Sequence, residues 1–237
     1  MNYAHYGRMA ELLDFPGPGF AARGRMLVDF LRHDYPDAAV DLALFLDAIP
    51  ARTLDLQELH TRTFEVQAVT TLGTGYVLFG DDYKRGALLS NLNREHDEAE
   101  NDCRGELADH LPNVLRLIPK LKDQDLLDEL VEQILVPALM LMIREFDPTM
   151  IAKKNANYEK HYKTLIDPAA GGCDPAIYRL TLEAVLKVLA RDFPVTETMT
   201  KLADWSSRPQ TMDFLRLVER EMDIERDANP VNSGCDA

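Results

Sequence analysis

Glu65, Asp81, Asp82, Lys84, Arg85, Glu106, Asp109 and His110 fall in one stretch of the chain, interleaved with Phe64, Tyr76, Phe79 and Tyr83. Carboxylates beside aromatic rings suit recognition of an apolar helix that carries basic residues, because the rings pack on one face while the carboxylates pair with its charges. The same residues, set around Gly80, suit helix capping and surface ion pairs equally well. The side chains alone leave both readings open. His110 is the one member whose ordinary pKa lies near neutrality, which would allow a pH-sensitive release step. Gly80 and Gly86 read as structural.

Other chemistries need patterns that the sequence lacks. A di-iron site in a helical bundle requires paired Glu-x-x-His, yet the residues three before each histidine are Asn2, Phe30, Gln57, Asn93, Leu107 and Tyr158. The run His96-Asp-Glu-Ala-Glu100 has one histidine amid carboxylates and no H-E-x-x-H, so it reads as an exposed polar helix. Gly73 and Gly75 form a G-x-G in LGTGYVLFG, but Leu78 follows and no G-K-[ST] or parallel-strand pattern surrounds them. There is no G-x-S-x-G elbow, and Cys103, Cys173 and Cys235 lie far apart without C-x-x-C spacing, as expected of reduced thiols. The expectation is a protein with no catalytic residues, no metal and no cofactor of its own. Two other classes stay in view: a helical metal-dependent enzyme using the carboxylates from His96 to Asp102, and a helical regulatory or scaffold module.

The elements that must position the cluster are helical. Apolar residues recur at helical spacing, as in Leu56, Leu59, Thr63 and Val66, or Ile177, Leu180, Ala184, Val185, Val188 and Leu189, and no segment alternates as a half-buried strand must. Proline and glycine mark breaks at Phe15–Gly19, Tyr35-Pro36, Ile49-Pro50, Leu72–Gly75, Gly80–Asp82, Asp147-Pro148, Asp167–Pro175 and Ser206–Pro209. These leave an all-α bundle of about nine or ten helices. Asp123 and Asp174 are placed to cap helices, the latter before Pro175 at a first helical position. Pro137 interrupts a helical pattern from Gln124 to Phe146 and should kink or break it near Val136.

At 237 residues with 46% hydrophobic content, the chain can bury one substantial core. Residues 1–226 read as one helical domain and 227–237 as a flexible polar tail. The 40 acidic against 26 basic residues give a formal charge of -14, which disfavours nucleic acid and anionic membranes and favours basic partners. Met1–Glu11 lacks the apolar core of a secretory signal, and the longest apolar run, Ile134–Ile143, contains Pro137 and is too short for a bilayer span. A soluble, cytoplasmic monomer is the expectation.

Four segments, in order, resemble a known family. Leu12–Pro16 (LLDFP), Leu59–Val66 (LHTRTFEV), Phe79–Leu89 (FGDDYKRGALL) and Glu106–Leu115 (ELADHLPNVL) are similar to the "L-L-x-Y-P", "Y-x-x-T-F-D", "G-D-x-x-x-R-G-x-A-L" and "E-L-P-D-Y/H-L-P-x-V-L" patterns of one group. That group is the nitrate reductase delta-subunit (NarJ) branch of the TorD/DmsD redox-enzyme maturation chaperones. The match covers roughly residues 10–120; His60 stands where the family commonly has an aromatic, and Ala108 where it has proline. The resemblance implies a TorD/NarJ-like all-α fold and a cytoplasmic chaperone. Such a protein binds the N-terminal region, often a twin-arginine signal peptide, of the apo catalytic subunit of a molybdenum oxidoreductase. It holds that subunit until the bis(molybdopterin guanine dinucleotide) cofactor is inserted, then leaves. On this reading Asp81, Asp82 and Asp109 pair with basic peptide residues, Tyr76 and Phe79 line an apolar groove, Arg85 holds the acidic cluster by internal pairing, and Glu65, Glu106 and His110 complete the peptide-binding surface.

Overall fold

The structure, a computed structural model, describes residues 3–162 and 173–194. Eleven helical segments follow in order: α1 (His5–Ala10), α2 (Phe20–Leu31), α3 (Pro36–Ala48), α4 (Thr53–Phe64), α5 (Thr74–Phe79), α6 (Tyr83–Glu98), α7 (Leu111–Leu117), α8 (Gln124–Glu129), α9 (Val136–Glu145), α10 (Pro148–Tyr162) and α11 (Arg179–Asp192). A π-helical turn, Leu130–Leu135, joins α8 to α9 in one rod, so the described residues form a bundle of about ten helices. The described residues are all-α, as the apolar periodicity implies; the only extended pairing among them is an isolated bridge between Gly73 and His110. The expected break at Ser206–Pro209, the tail 227–237 and Cys235 lie outside the described residues, as does most of Asp167–Pro175.

The remaining proline and glycine breaks all fall between helices. Pro36 and Pro148 stand at first helical positions, where a missing N–H costs nothing. Asp123 caps α8 by accepting from the N–H groups of Asp125 and Leu126, and Asp174 accepts from Ala176 ahead of a 3-10 turn, Pro175–Tyr178, that leads into α11. Pro137 acts as its chemistry demands, but without ending the helix. The N–H of Val136 reaches back to the carbonyl of Val131, a π-type bond, and this shift of register comes just before the residue that has no N–H.

The core forms where α11 packs on α3 and α9, with α2 against α3, α1 against α7 and α5 against α9. Leu182, Ala184, Val185, Val188 and Leu189 of α11 are buried together with Phe45, Leu139 and Met142. Each large aliphatic among them contributes about 1.5–3 kcal/mol relative to an exposed position. On α4 the expected stripe holds for Leu56, Leu59 and Thr63, whereas Val66 lies beyond the helix end and is exposed. No described helix is long and apolar enough to cross a membrane.

Asp192 closes the bundle. Its carboxylate accepts hydrogen bonds from Nε2–H of His5 at 2.9 Å, the Tyr6 hydroxyl at 2.8 Å and the Tyr35 hydroxyl at 2.5 Å. It thereby ties α1 and the start of α3 to the last turn of α11. Burial alone would raise the pKa of Asp192; the donors of His5, Tyr35 and Tyr6 outweigh it and hold the carboxyl below its usual range.

Candidate functional site

Two sets of side chains emerge from the residues singled out in the sequence. The first is centred on Asp109, which is wholly buried. Nε–H of Arg85 donates to its Oδ2 at 3.0 Å, and the Arg85 guanidinium lies 5.2 Å from the centroid of the Tyr76 ring. The Asp109 carbonyl accepts from both the N–H and the hydroxyl of Thr74, and Leu111 N–H donates to the Leu72 carbonyl, so the start of α5 is stitched to the start of α7. Gly75 is needed here, because a Cβ at that position would stand 2.9 Å from Asp109 Oδ2 and 3.0 Å from a Leu88 methyl. The glycines of LGTG thus admit a buried ion pair instead of cradling a phosphate. Asp109, expected to pair with peptide residues, is instead buried, with Oδ2 paired to Arg85 and Oδ1 left without a hydrogen-bond partner. The internal pairing expected of Arg85 is present.

At the neighbouring turn, Gly80 adopts a left-handed φ of 63° and Asp82 caps α6 by accepting from Lys84 N–H at 3.0 Å. Asp82 therefore does the capping work that the sequence left open, though its side chain is exposed, like that of Asp81. Phe79 is partly buried and packs against the core, while Tyr76 is 44% exposed beneath Arg85.

The second set gathers round His60, which is buried on α4. Its Nε2–H donates to the Leu13 carbonyl at 3.1 Å, and its ring meets Phe15 edge-on at 5.6 Å between centroids. Glu65, the exposed residue after α4, brings Oε1 to 4.0 Å from His60 Nδ1. Burial pushes the His60 pKa down, opposed by the Leu13 carbonyl and then by the charges of Glu65, Asp14 and Glu106. Burial likewise pushes His110 down, against Glu106, Asp14 and Asp109, so both rings are neutral at pH 7. Asp14 is itself held by Arg116 and, at 3.4 Å, by Arg104. Leu13 and Asp14 of the LLDFP segment, His60 and Glu65 of LHTRTFEV, and Glu106 and His110 of ELADHLP therefore share one neighbourhood. Phe15, Val66 and Leu107 stand exposed on these same segments, Phe15 and Leu107 each at 55%.

The expected residues divide accordingly. Glu65, Glu106 and His110 come together around His60, and Tyr76, Arg85 and Asp109 around Gly75. Asp81 and Asp82 mark a separate turn, where the Asp82 carbonyl accepts from Arg85 N–H as α6 begins. Asp14, Phe15, His60, Val66 and Leu107 were not singled out as site residues. Phe15 and Leu107 were legible as large apolar side chains inside the two proline-bearing segments.

The reading of His96 as part of an exposed polar helix is also corrected. His96 is buried, its Nε2–H donating to the Ala108 carbonyl at 3.0 Å and its Nδ1 accepting from Asn101 Nδ2 at 2.9 Å. Both ring nitrogens are thus occupied by the chain itself. Among the described residues no group of three or more His, Cys, Asp and Glu side chains is arranged to hold a metal ion.

The fold is a helical bundle, and its surface sets exposed Phe15, Val66 and Leu107 beside the exposed carboxylates Glu65 and Glu106. Comparison with models of protein families, with curated proteins and with solved structures finds no match to the chain.

Proposed function

We propose that this protein is a cytoplasmic maturation chaperone of the NarJ type. It would bind the N-terminal or twin-arginine signal region of the apo catalytic subunit of a molybdenum oxidoreductase and hold that subunit until its cofactor is inserted. The observation that carries this reading is the placement of exposed Val66 and Leu107 directly beside the exposed carboxylates Glu65 and Glu106, with exposed Phe15 against His60 in the same neighbourhood. Large apolar side chains next to acidic ones offer anchorage to one face of an amphipathic basic segment and charge pairing to the other. Affinity comes chiefly from the apolar contact, since a partly exposed ion pair contributes about 0.2–1 kcal/mol; the charges select the peptide and speed its arrival. The formal charge of -14 acts in the same direction over longer range.

The role is tested by offering the purified protein both forms of the catalytic subunit encoded beside its gene. A chaperone binds the apo-subunit and releases the cofactor-loaded enzyme. Stable binding to the mature enzyme would point instead to a scaffold, and binding to neither form would sink the proposal.

A further inference from the structure

The geometry points to a seat for one arginine side chain of the bound polypeptide between His60 Nδ1 and the Glu65 carboxylate, with the Phe15 ring as its apolar wall; the inference rests on the peptide-binding reading above. His60 is only 4% exposed, and its Nε2 must carry the proton because it faces a carbonyl, that of Leu13, at 3.1 Å. That tautomer leaves Nδ1 as a bare acceptor, and Nδ1 has no hydrogen-bond partner. A second acceptor, Glu65 Oε1, lies 4.0 Å from it. Two acceptors, one of them anionic, face each other with no donor between them. A buried acceptor without a donor is destabilising, and an adjacent carboxylate adds repulsion between lone pairs.

Two remedies exist, protonation of Nδ1 or a donor brought by a ligand. Burial works against the first, since it lowers the pKa of His60 despite the neighbouring carboxylates. The second requires a cationic N–H donor able to bond a nitrogen and a carboxylate oxygen together. A guanidinium suits this better than an ammonium: it offers five donors on a rigid plane, sheds water more readily, and stacks on an aromatic face. Phe15 supplies such a face, edge-on to His60 and more than half exposed. Glu65 is exposed at the end of α4, so its side chain is free to rotate and share a donor brought to Nδ1. Histidine at position 60, the departure from the family's aromatic, thus gives the surface a preference for arginine over lysine.

The experiment uses the full chain labelled with 15N-histidine and two probes: an amphipathic synthetic peptide of leucine and arginine, and its counterpart with every arginine replaced by lysine. Saturation with the arginine peptide is expected to shift the His60 Nδ1 resonance, and the lysine peptide to leave it in place. His60→Trp keeps a ring N–H able to donate to the Leu13 carbonyl and carries no acceptor, because an indole nitrogen only donates. This variant should lose about tenfold in affinity for the arginine peptide, the scale of one hydrogen bond to a charged group, with little change for lysine. Binding of the arginine peptide with an unmoved Nδ1 resonance, or with preference intact in His60→Trp, overturns the seat and leaves the peptide-binding surface standing. Failure of both peptides to bind overturns the seat and the surface together.

Discussion

The Arg85 guanidinium and the Asp109 carboxylate meet at 3.0 Å beneath the Gly73–Gly75 turn, with Asp109 fully buried and Arg85 mostly so. The pair joins α6 to the start of α7 at the point where α5 begins. Removing one member of such a pair leaves the other as an uncompensated charge. Asp109→Ala should therefore cost about 3–5 kcal/mol in urea denaturation. A loss below about 1 kcal/mol would show that the pair is solvated.

Gly75 and Gly86 should respond to alanine in opposite directions. At Gly75 the added Cβ meets Asp109 and Leu88 at 3.0 Å or less, so Gly75→Ala should destabilise by about 1–3 kcal/mol. At Gly86, exposed within α6, a Cβ meets nothing within 4 Å, so the structural requirement read from the sequence has no steric basis. Gly86→Ala should stabilise by about 0.5–1 kcal/mol through helix propensity and the loss of backbone freedom in the unfolded chain. Denaturation midpoints of both variants check the contrast.

What the sequence made legible, and what it hid, divides along physical lines. Helical periodicity and prolines locate nearly every helix, because those signals are local. The break between α6 and α7, residues 99–110, has no proline before Pro112 and was not expected. It is held by amides: Asn101 Nδ2 donates to His96 and to the Asn113 carbonyl, and Asn113 Nδ2 donates to the carbonyls of Cys103 and Leu107. Such loop closure depends on amide side chains reaching partners 5 to 12 residues away across irregular backbone, which helical periodicity does not reveal. The same holds for the site. A carboxylate at position 109 looks like one at position 106 until packing buries the first and exposes the second.

The buried histidines and Asp192 set the acid limb of stability. His60, His96 and His110 are all lowered from their ordinary value by burial, so between their folded and unfolded pKa values the unfolded chain binds more protons. Their stabilising effect is complete above the unfolded histidine pKa near 6.5 and is lost as pH falls below it. Asp192, also lowered, adds stability above the ordinary carboxylate range that is lost as pH falls through its folded value. Unfolding free energy should thus drop first between pH 7 and 5, then again at lower pH. Asp192→Asn should remove the second component attributable to this group and cost about 2 kcal/mol at pH 7, because an amide cannot replace an anion that accepts from three donors. A pH-independent denaturation midpoint from 7.5 to 5.5 would contradict the histidine account.

The central claim is peptide recognition by the surface that holds Phe15, Glu65, Glu106 and Leu107. Its most direct measurement is a calorimetric titration of the purified protein with a twin-arginine signal peptide from the N-terminus of a molybdoenzyme catalytic subunit, in parallel with the Glu65→Gln, Glu106→Gln double variant. The account predicts saturable binding by the parent protein and a loss of up to about tenfold in the variant, the summed scale of two partly exposed ion pairs. Absence of binding by the parent protein would contradict it.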